Sequence, residues 1–130
     1  MRTNPPSLTL AIVGADYLNK RGPTRRFELA LCEPGEAVTL MPEPNNPADP
    51  RAIAVYSCRG VQLGYVTAER APRIGQLIVQ GADIKAIFQT RTSFGGLIRV
   101  SFDGNDPDLP PDHGSADPEP HWYPDEEWPN

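Results

Sequence analysis

Glu43-Pro44-Asn45-Asn46-Pro47-Ala48-Asp49-Pro50-Arg51-Ala52-Ile53-Ala54-Val55 is the least generic stretch of this chain, and its reading decides the fold. Asn45 and Asn46 are built for local side chain-to-backbone bonds, and Pro47 pushes Asn46 into an extended conformation. Asp49 before Pro50 is an N-cap-like pair that starts a short helical turn. From Ala52 the pattern turns apolar and β-branched. The stretch is therefore a rigid turn that holds two amides and a carboxylate and then restarts as a strand.

Outward from it, strands dominate. Ala37–Met41 runs into Pro42 as a strand, and Ala52–Ser57 alternates as another. Arg59-Gly60 turns the chain, and Val61–Val66 pairs back as a hairpin. Leu8–Val13 is a continuous apolar run ending at Gly14, and reads as a buried strand. Tyr17–Arg26 is polar and basic with a Gly-Pro signal, so it reads as a loop. Phe27–Cys32 has strand-like composition and stops at Glu33-Pro34-Gly35-Glu36. Thr67 caps a helix that tolerates Pro72, carries Ile74, Leu77 and Ile78 at helical spacing, and closes at Gly81. Ile84–Arg91 and Leu97–Phe102 are the last strands, separated by the loop Ser93-Phe94-Gly95-Gly96. Six to seven short strands with one or two helices, and no βα alternation, favour a mainly β architecture: a small OB- or SH3-like barrel.

The charge is asymmetric. The chain has a net charge of −5. Residues 1–102 hold all 12 Lys and Arg against eight acids, or +4, whereas residues 103–130 hold nine acids and no Lys or Arg, or −9. That second segment has seven prolines and almost no aliphatics, so it cannot bury enough surface to offset its ordering entropy. The expected organisation is a flexible 1–7, a barrel over 8–102 and a disordered, acidic, Pro-rich tail over 103–130. The acidic pI argues against nucleic acid only for the tail, because the barrel itself is mildly basic.

No apolar stretch reaches membrane-span length, and the N-terminus lacks a signal h-region. A soluble, cytoplasmic monomer that does not engage the membrane is expected. Cys32 and Cys58 read as small apolar residues in strands; with no secretion signal, a structural disulfide is the less favoured reading. No metal constellation is visible, and both histidines, His113 and His121, lie in the tail. No phosphate-binding loop or nucleophile elbow is present. These observations point to a binding module, with neither enzymatic chemistry nor a cofactor.

The turn at 43–55 resembles the signature of the HIRAN domain, in which a strand ends in an E/D-P-x-N-x-x-D turn and restarts as A-I-x-V. The resemblance covers about residues 8–102. It takes in Val13-Gly14 with Tyr17 shortly after, and the Val61–Val66 strand followed by Glu69 and a helix. It implies an OB-like barrel that binds DNA; studied members attached to remodelling helicases, which serve DNA repair, capture the 3′ end of single-stranded DNA. Carried over by position, Asp49 accepts the hydrogen bond of a free 3′-hydroxyl, with Asn45 and Asn46 in support. Tyr17 stacks on a base, and Tyr65 and Phe94 offer further rings. Lys20, Arg21, Arg25 and Arg26 supply phosphate contacts from the first loop. Read from the residues alone, Asn45 and Asp49 serve equally to knit the turn, and the four basic residues to solvate a loop.

Several positions depart from that pattern. Asp16 and Leu18 stand where DNA-binding members have a basic residue and a second aromatic. Ala48 and Ala68 replace an aromatic and a basic residue, and Tyr65 replaces a His-like position. The alternative function is accordingly a protein-interaction module that uses the barrel mouth or the tail's Trp122, Tyr123 and Trp128. The tail, with repeated negative charge and stackable rings, is expected to fold back on the basic face and compete with DNA.

Overall fold

In the computed structural model, which describes residues 7–110, the apolar runs become six strands and two helices. In chain order these are β1 (Leu8–Val13), α1 (Arg25–Leu31), β2 (Ala37–Pro42), β3 (Ile53–Tyr56), β4 (Gln62–Val66), α2 (Ala71–Val79), β5 (Lys85–Arg91) and β6 (Gly96–Ser101). The strands close into an antiparallel barrel in the order β1-β4-β3-β2-β5-β6. Closure abolishes free edges, which is how a set of strands this short becomes stable.

The barrel closes at β1, which pairs with β6 through Leu8↔Val100 to Ile12↔Gly96 and with β4 through Ile12↔Val66 and Val13↔Tyr65. Glycines make the approach possible. A Cβ at Gly64 would stand 2.3 Å from the Val13 carbonyl oxygen, and one at Gly95 would stand 2.4 Å from that of Ile12. Leu10, Ile12, Ile53, Val55, Leu63, Phe88, Ile98 and Val100 form the buried centre, and α2 adds Ala71, Ile74 and Leu77 to it. Each fully buried Leu, Ile or Phe side chain stabilises the fold by roughly 1.5–3 kcal/mol.

Phe27–Cys32 is not a strand. Thr24 caps α1, its Oγ1 accepting the Phe27 N–H at 3.0 Å, and the helix runs through Leu31. The apparent alternation misleads because the buried face is Arg25, Glu28 and Leu29, at helical spacing, while Phe27 and Leu31 are exposed. The loop from Tyr17 therefore ends at Thr24, and Arg25 and Arg26 belong to the helix. Neither cysteine lies in a strand: Cys32 follows α1 half-buried, Cys58 is exposed in the turn after β3, and both are free thiols.

α2 begins later than the Thr67 signal suggests. The Thr67 carbonyl accepts the N–H groups of Arg70 and Ala71, but the buried Thr67 hydroxyl has no hydrogen-bond partner among the described residues and makes no cap bond. Past Phe102 the chain continues along the barrel. Asp103 bridges to Asp83, the Ser101 hydroxyl donates to the Asn105 carbonyl, Lys85 pairs with Asp106 at 3.7 Å, and Pro107 is buried. The rest of the acidic tail, with its aromatics, its histidines and its expected return to the basic face, lies outside the described residues, as do residues 1–6. Among the described residues no helix is long and apolar enough to cross a membrane.

Candidate functional site

The rigid turn of residues 43–52 is held by its own side chains. The Asn46 Oδ1 accepts the N–H groups of Ala48 and Asp49 at 2.8 and 3.1 Å, and its Nδ2 donates to Glu43 Oε1 at 2.9 Å. Asp49 Oδ1 accepts the Arg51 N–H at 2.8 Å, closing a single turn in place of a longer helical one. The Ala52 N–H to Asp49 carbonyl and the Glu43 N–H to Ala52 carbonyl bonds complete it. Asn45 is exposed at the tip.

Glu43 is the hub that extends this turn to the barrel wall. The Tyr65 hydroxyl on β4 donates to the same Oε1 at 2.9 Å. Register explains the reach: Ala54 on β3 pairs with Tyr65 on one side and Met41 on the other, so Tyr65 stretches past β3 to the end of β2. The Arg25 guanidinium lies 5.5 Å from the Tyr65 ring centroid, a cation–π distance. Arg25 also donates to the Gly14 carbonyl at 2.9 Å and to Asn19 Oδ1 at 2.8 Å, while Asn19 Nδ2 donates to the Pro23 and Gln62 carbonyls.

Gly14 is where the rings converge. A Cβ placed there would sit 3.8 Å from both the Tyr17 and the Tyr65 rings, and 3.6 Å from Arg25 Nη1. The Tyr17 N–H donates to the Gly14 carbonyl, so a tight turn presents Tyr17 directly after β1. Tyr17 is 73% exposed and Leu18 76%. The result is one partly buried ring beside one solvent-facing ring, braced by a guanidinium.

The two arginines of α1 are committed to the protein. Arg25 is only 7% exposed, so it organises the site from beneath and does not offer itself to phosphate from a loop. Arg26 donates to Asp16 and to the Ser93 carbonyl, each at 2.9 Å. Its hydrogen bond and charge hold the Asp16 carboxyl below the usual carboxylate range. By clamping Asp16 to Ser93, Arg26 draws the Tyr17 loop and the Phe94 loop together. Phe94 is half-buried in a turn closed by the Gly95 N–H to the Thr92 hydroxyl and carbonyl. Lys20 and Arg21 stand exposed on the first loop.

The structure thus brings Tyr17, Tyr65, Asn46 and Asp49 into one connected patch, with Arg26 linking it to the Phe94 loop. Glu43, Gly14 and Asn19 are its members that sequence reading did not single out as a site. Only Glu43 carried a usable signal, a carboxylate three residues before an Asn in a Pro-rich turn. Among the described residues no three His, Cys, Asp or Glu side chains stand together to hold a metal.

No curated protein matches this chain. Two solved structures are similar to it. The HIRAN domain of human HLTF has 25% identity and a TM-score of 0.60, with 75% of this chain and 74% of that one covered. A protein from Lactobacillus plantarum has 24% identity and a TM-score of 0.55 over 74% of this chain and 92% of that one, a likeness of fold alone. The HIRAN domain family model matches residues 7–101, nearly the whole barrel with its turn and its rings, and this chain belongs to the HIRAN domain family.

Proposed function

We propose that this chain is a non-enzymatic nucleic-acid-binding module that takes single-stranded DNA, with the 3′-hydroxyl end as its preferred ligand. HIRAN domains are DNA-binding modules, and the observation that carries the finer reading is the exposed Tyr17 ring. A tyrosine 73% exposed has no packing role that requires its size, yet a tight turn, closed by its N–H to the Gly14 carbonyl, fixes its backbone directly after β1. Such a platform suits base stacking, which is tolerant of sequence because every base has a π face.

The remaining roles follow from the same patch. Lys20 and Arg21 meet phosphates from the exposed loop, and the Asp49 carboxylate accepts the terminal hydroxyl. A carboxylate has about four acceptor sites and the Arg51 N–H uses one of them, so the anchoring bond leaves capacity for a ligand. A carboxylate there also repels a 3′-phosphate. The exposed Leu18 beside Tyr17 supports the second reading, a protein-binding surface, since an aliphatic side chain gains more against a partner protein than against a phosphodiester.

Fluorescence polarisation of single-stranded oligonucleotides ending in 3′-hydroxyl or 3′-phosphate tests the proposal. Binding that weakens with salt, prefers the hydroxyl end and loses that preference in Asp49→Ala is the expected result. Binding indifferent to the end group removes end capture and keeps nucleic acid. Absence of binding at low salt leaves the protein-interaction reading.

A further inference from the structure

An open groove of about 700 Å³ runs between the turn of residues 43–52 and α2. One wall is proline: Pro42, Pro44 and Pro50. The other is Gly75, Ile78 and Val79 of α2. Such a volume is that of a ligand site, and rigid pyrrolidine walls present flat apolar faces without loss of rotamer freedom.

Two details mark the groove as made for an occupant. Val79 is 85% exposed, a large β-branched residue facing water at the end of a helix. Gly75 sits in the helix interior, where glycine is destabilising by roughly 0.5–1 kcal/mol relative to alanine. A Cβ at Gly75 would meet nothing within 4 Å, so no contact among the described residues asks for glycine there. Its missing side chain leaves the groove open.

We propose that the groove is filled by the chain's own acidic segment, through His121-Trp122-Tyr123-Pro124-Asp125-Glu126-Glu127-Trp128. Three observations select this occupant. The segment contains both tryptophans of the chain, and its rings are the complement of a proline-walled apolar groove. Its carboxylates at 125–127 complement the exposed Arg51 that lines the groove. The chain also leaves the barrel close by, because the Asp83–Asp103 bridge and the Lys85–Asp106 pair hold it against the residues that directly follow α2. From Pro110 to Trp122 an extended chain reaches roughly 40 Å, ample for a domain of this size.

Neither Tyr65 nor the Lys20–Arg21 loop lines this groove. Docking here braces the turn that carries Asn46 and Asp49, independently of whether DNA is the ligand.

Because both tryptophans lie in the segment, their fluorescence reports it directly. The test compares acrylamide quenching of the full chain, of its Val79→Glu and Gly75→Glu variants, and of a free peptide of residues 111–130, all without DNA. A tethered segment has an effective concentration of order millimolar, so even a weak site is half filled and quenching falls about twofold below that of the peptide. Both variants place a carboxylate in the groove and should restore peptide-like quenching and a red-shifted emission. Val79 is exposed enough that its variant keeps the fold, which circular dichroism verifies. Peptide-like quenching in the unmodified chain overturns the proposal, as does shielding that neither variant relieves. Shielding that grows with protein concentration overturns it in favour of contact between copies.

Discussion

β3 has a polar cluster at each end, and the two are built differently. At its start the 43–52 turn joins Glu43 to Asn46 and Tyr65. At its end, Ser57 and Arg59 close on Glu28 of α1 at 2.7 and 2.6 Å, and Arg59 turns on to Glu36 at 3.4 Å. Glu28 is 1% exposed, and the donors of Ser57 and Arg59 converge on its carboxylate. Arg59 is held firmly protonated by its hydrogen bonds to the two glutamates, while Glu36 is lowered first by the Glu33 N–H that donates to it and then by Arg59. At the Glu43 end the connected groups are half-buried and lead to the exposed Tyr17 ring. A saturated polar cluster serves the fold; one that ends in exposed side chains with anchored bases serves a ligand.

The largest test of this contrast is Glu28→Ala. It strips the Ser57 hydroxyl and the Arg59 guanidinium of their shared acceptor and opens a cavity, a loss of about 2–4 kcal/mol. For a domain near 100 residues that lowers Tm by on the order of 10 °C or more in a thermal melt. A melt unchanged within error would mean that the cluster is not a structural knot.

Tyr17→Ala should do the reverse. Stability stays within about 0.5 kcal/mol of the parent, as for surface changes generally. Affinity for single-stranded DNA falls by roughly 5- to 150-fold, the equivalent of losing about 1–3 kcal/mol of one stacked base. Equal affinity in polarisation titrations would take Tyr17 out of the site.

Tyr65→Phe separates the two functions within one residue. Losing the hydroxyl bond to Glu43 should lower stability by about 0.5–1.5 kcal/mol in urea unfolding, while the ring and its contact with Arg25 persist. A DNA affinity change larger than a few-fold would show that the turn's orientation, in addition to the ring, is read by the ligand.

The thiols give a smaller, chemical comparison. Burial pushes the Cys32 thiol up to about 11, more than the neighbouring Arg59 pulls it down. Roughly one molecule in a thousand is then thiolate at pH 8, so Cys58, exposed, should be labelled first by a disulfide reagent. The sign for stability follows: the unfolded thiol deprotonates near 9 and the folded one near 11, so this contribution is intact below 9 and is lost as pH rises from 9 to 11. Comparable labelling rates for the two thiols in a mass-resolved time course would contradict the packing of Cys32 against the core.

The smallest effect concerns Asp16 and Arg26. The Asp16 carboxyl titrates below its ordinary value, so the clamp is complete above the usual carboxylate range and opens only as pH falls through the lowered one. Since the pair is exposed, opening it should loosen the Tyr17 and Phe94 loops with little change in global stability. Amide exchange at Ser93 and Tyr17 that stays flat from pH 6 to pH 3, after correction for intrinsic rates, would argue against the clamp.

The amino-acid sequence by itself determined the strands of the barrel, the helix at 71–79 and the turn at 43–52. Each of these is governed by local chemistry: apolar periodicity, proline geometry and asparagine side chains bonding to their own backbone. It also displayed Asn46 and Asp49 within the motif turn, and Tyr17 and Tyr65 through the resemblance that flanks it. Tertiary structure decided the inward face of α1, whose alternation imitates a strand until the buried Glu28 carboxylate is seen to meet Ser57 and Arg59. Tertiary structure also turned Arg25 and Arg26 from loop cations into supports, and made Glu43 a hub through a tyrosine 22 residues away. The physical reason is the same in each case. A partner brought across the sheet by strand register leaves no trace in sequence spacing, whereas a bond between near neighbours does.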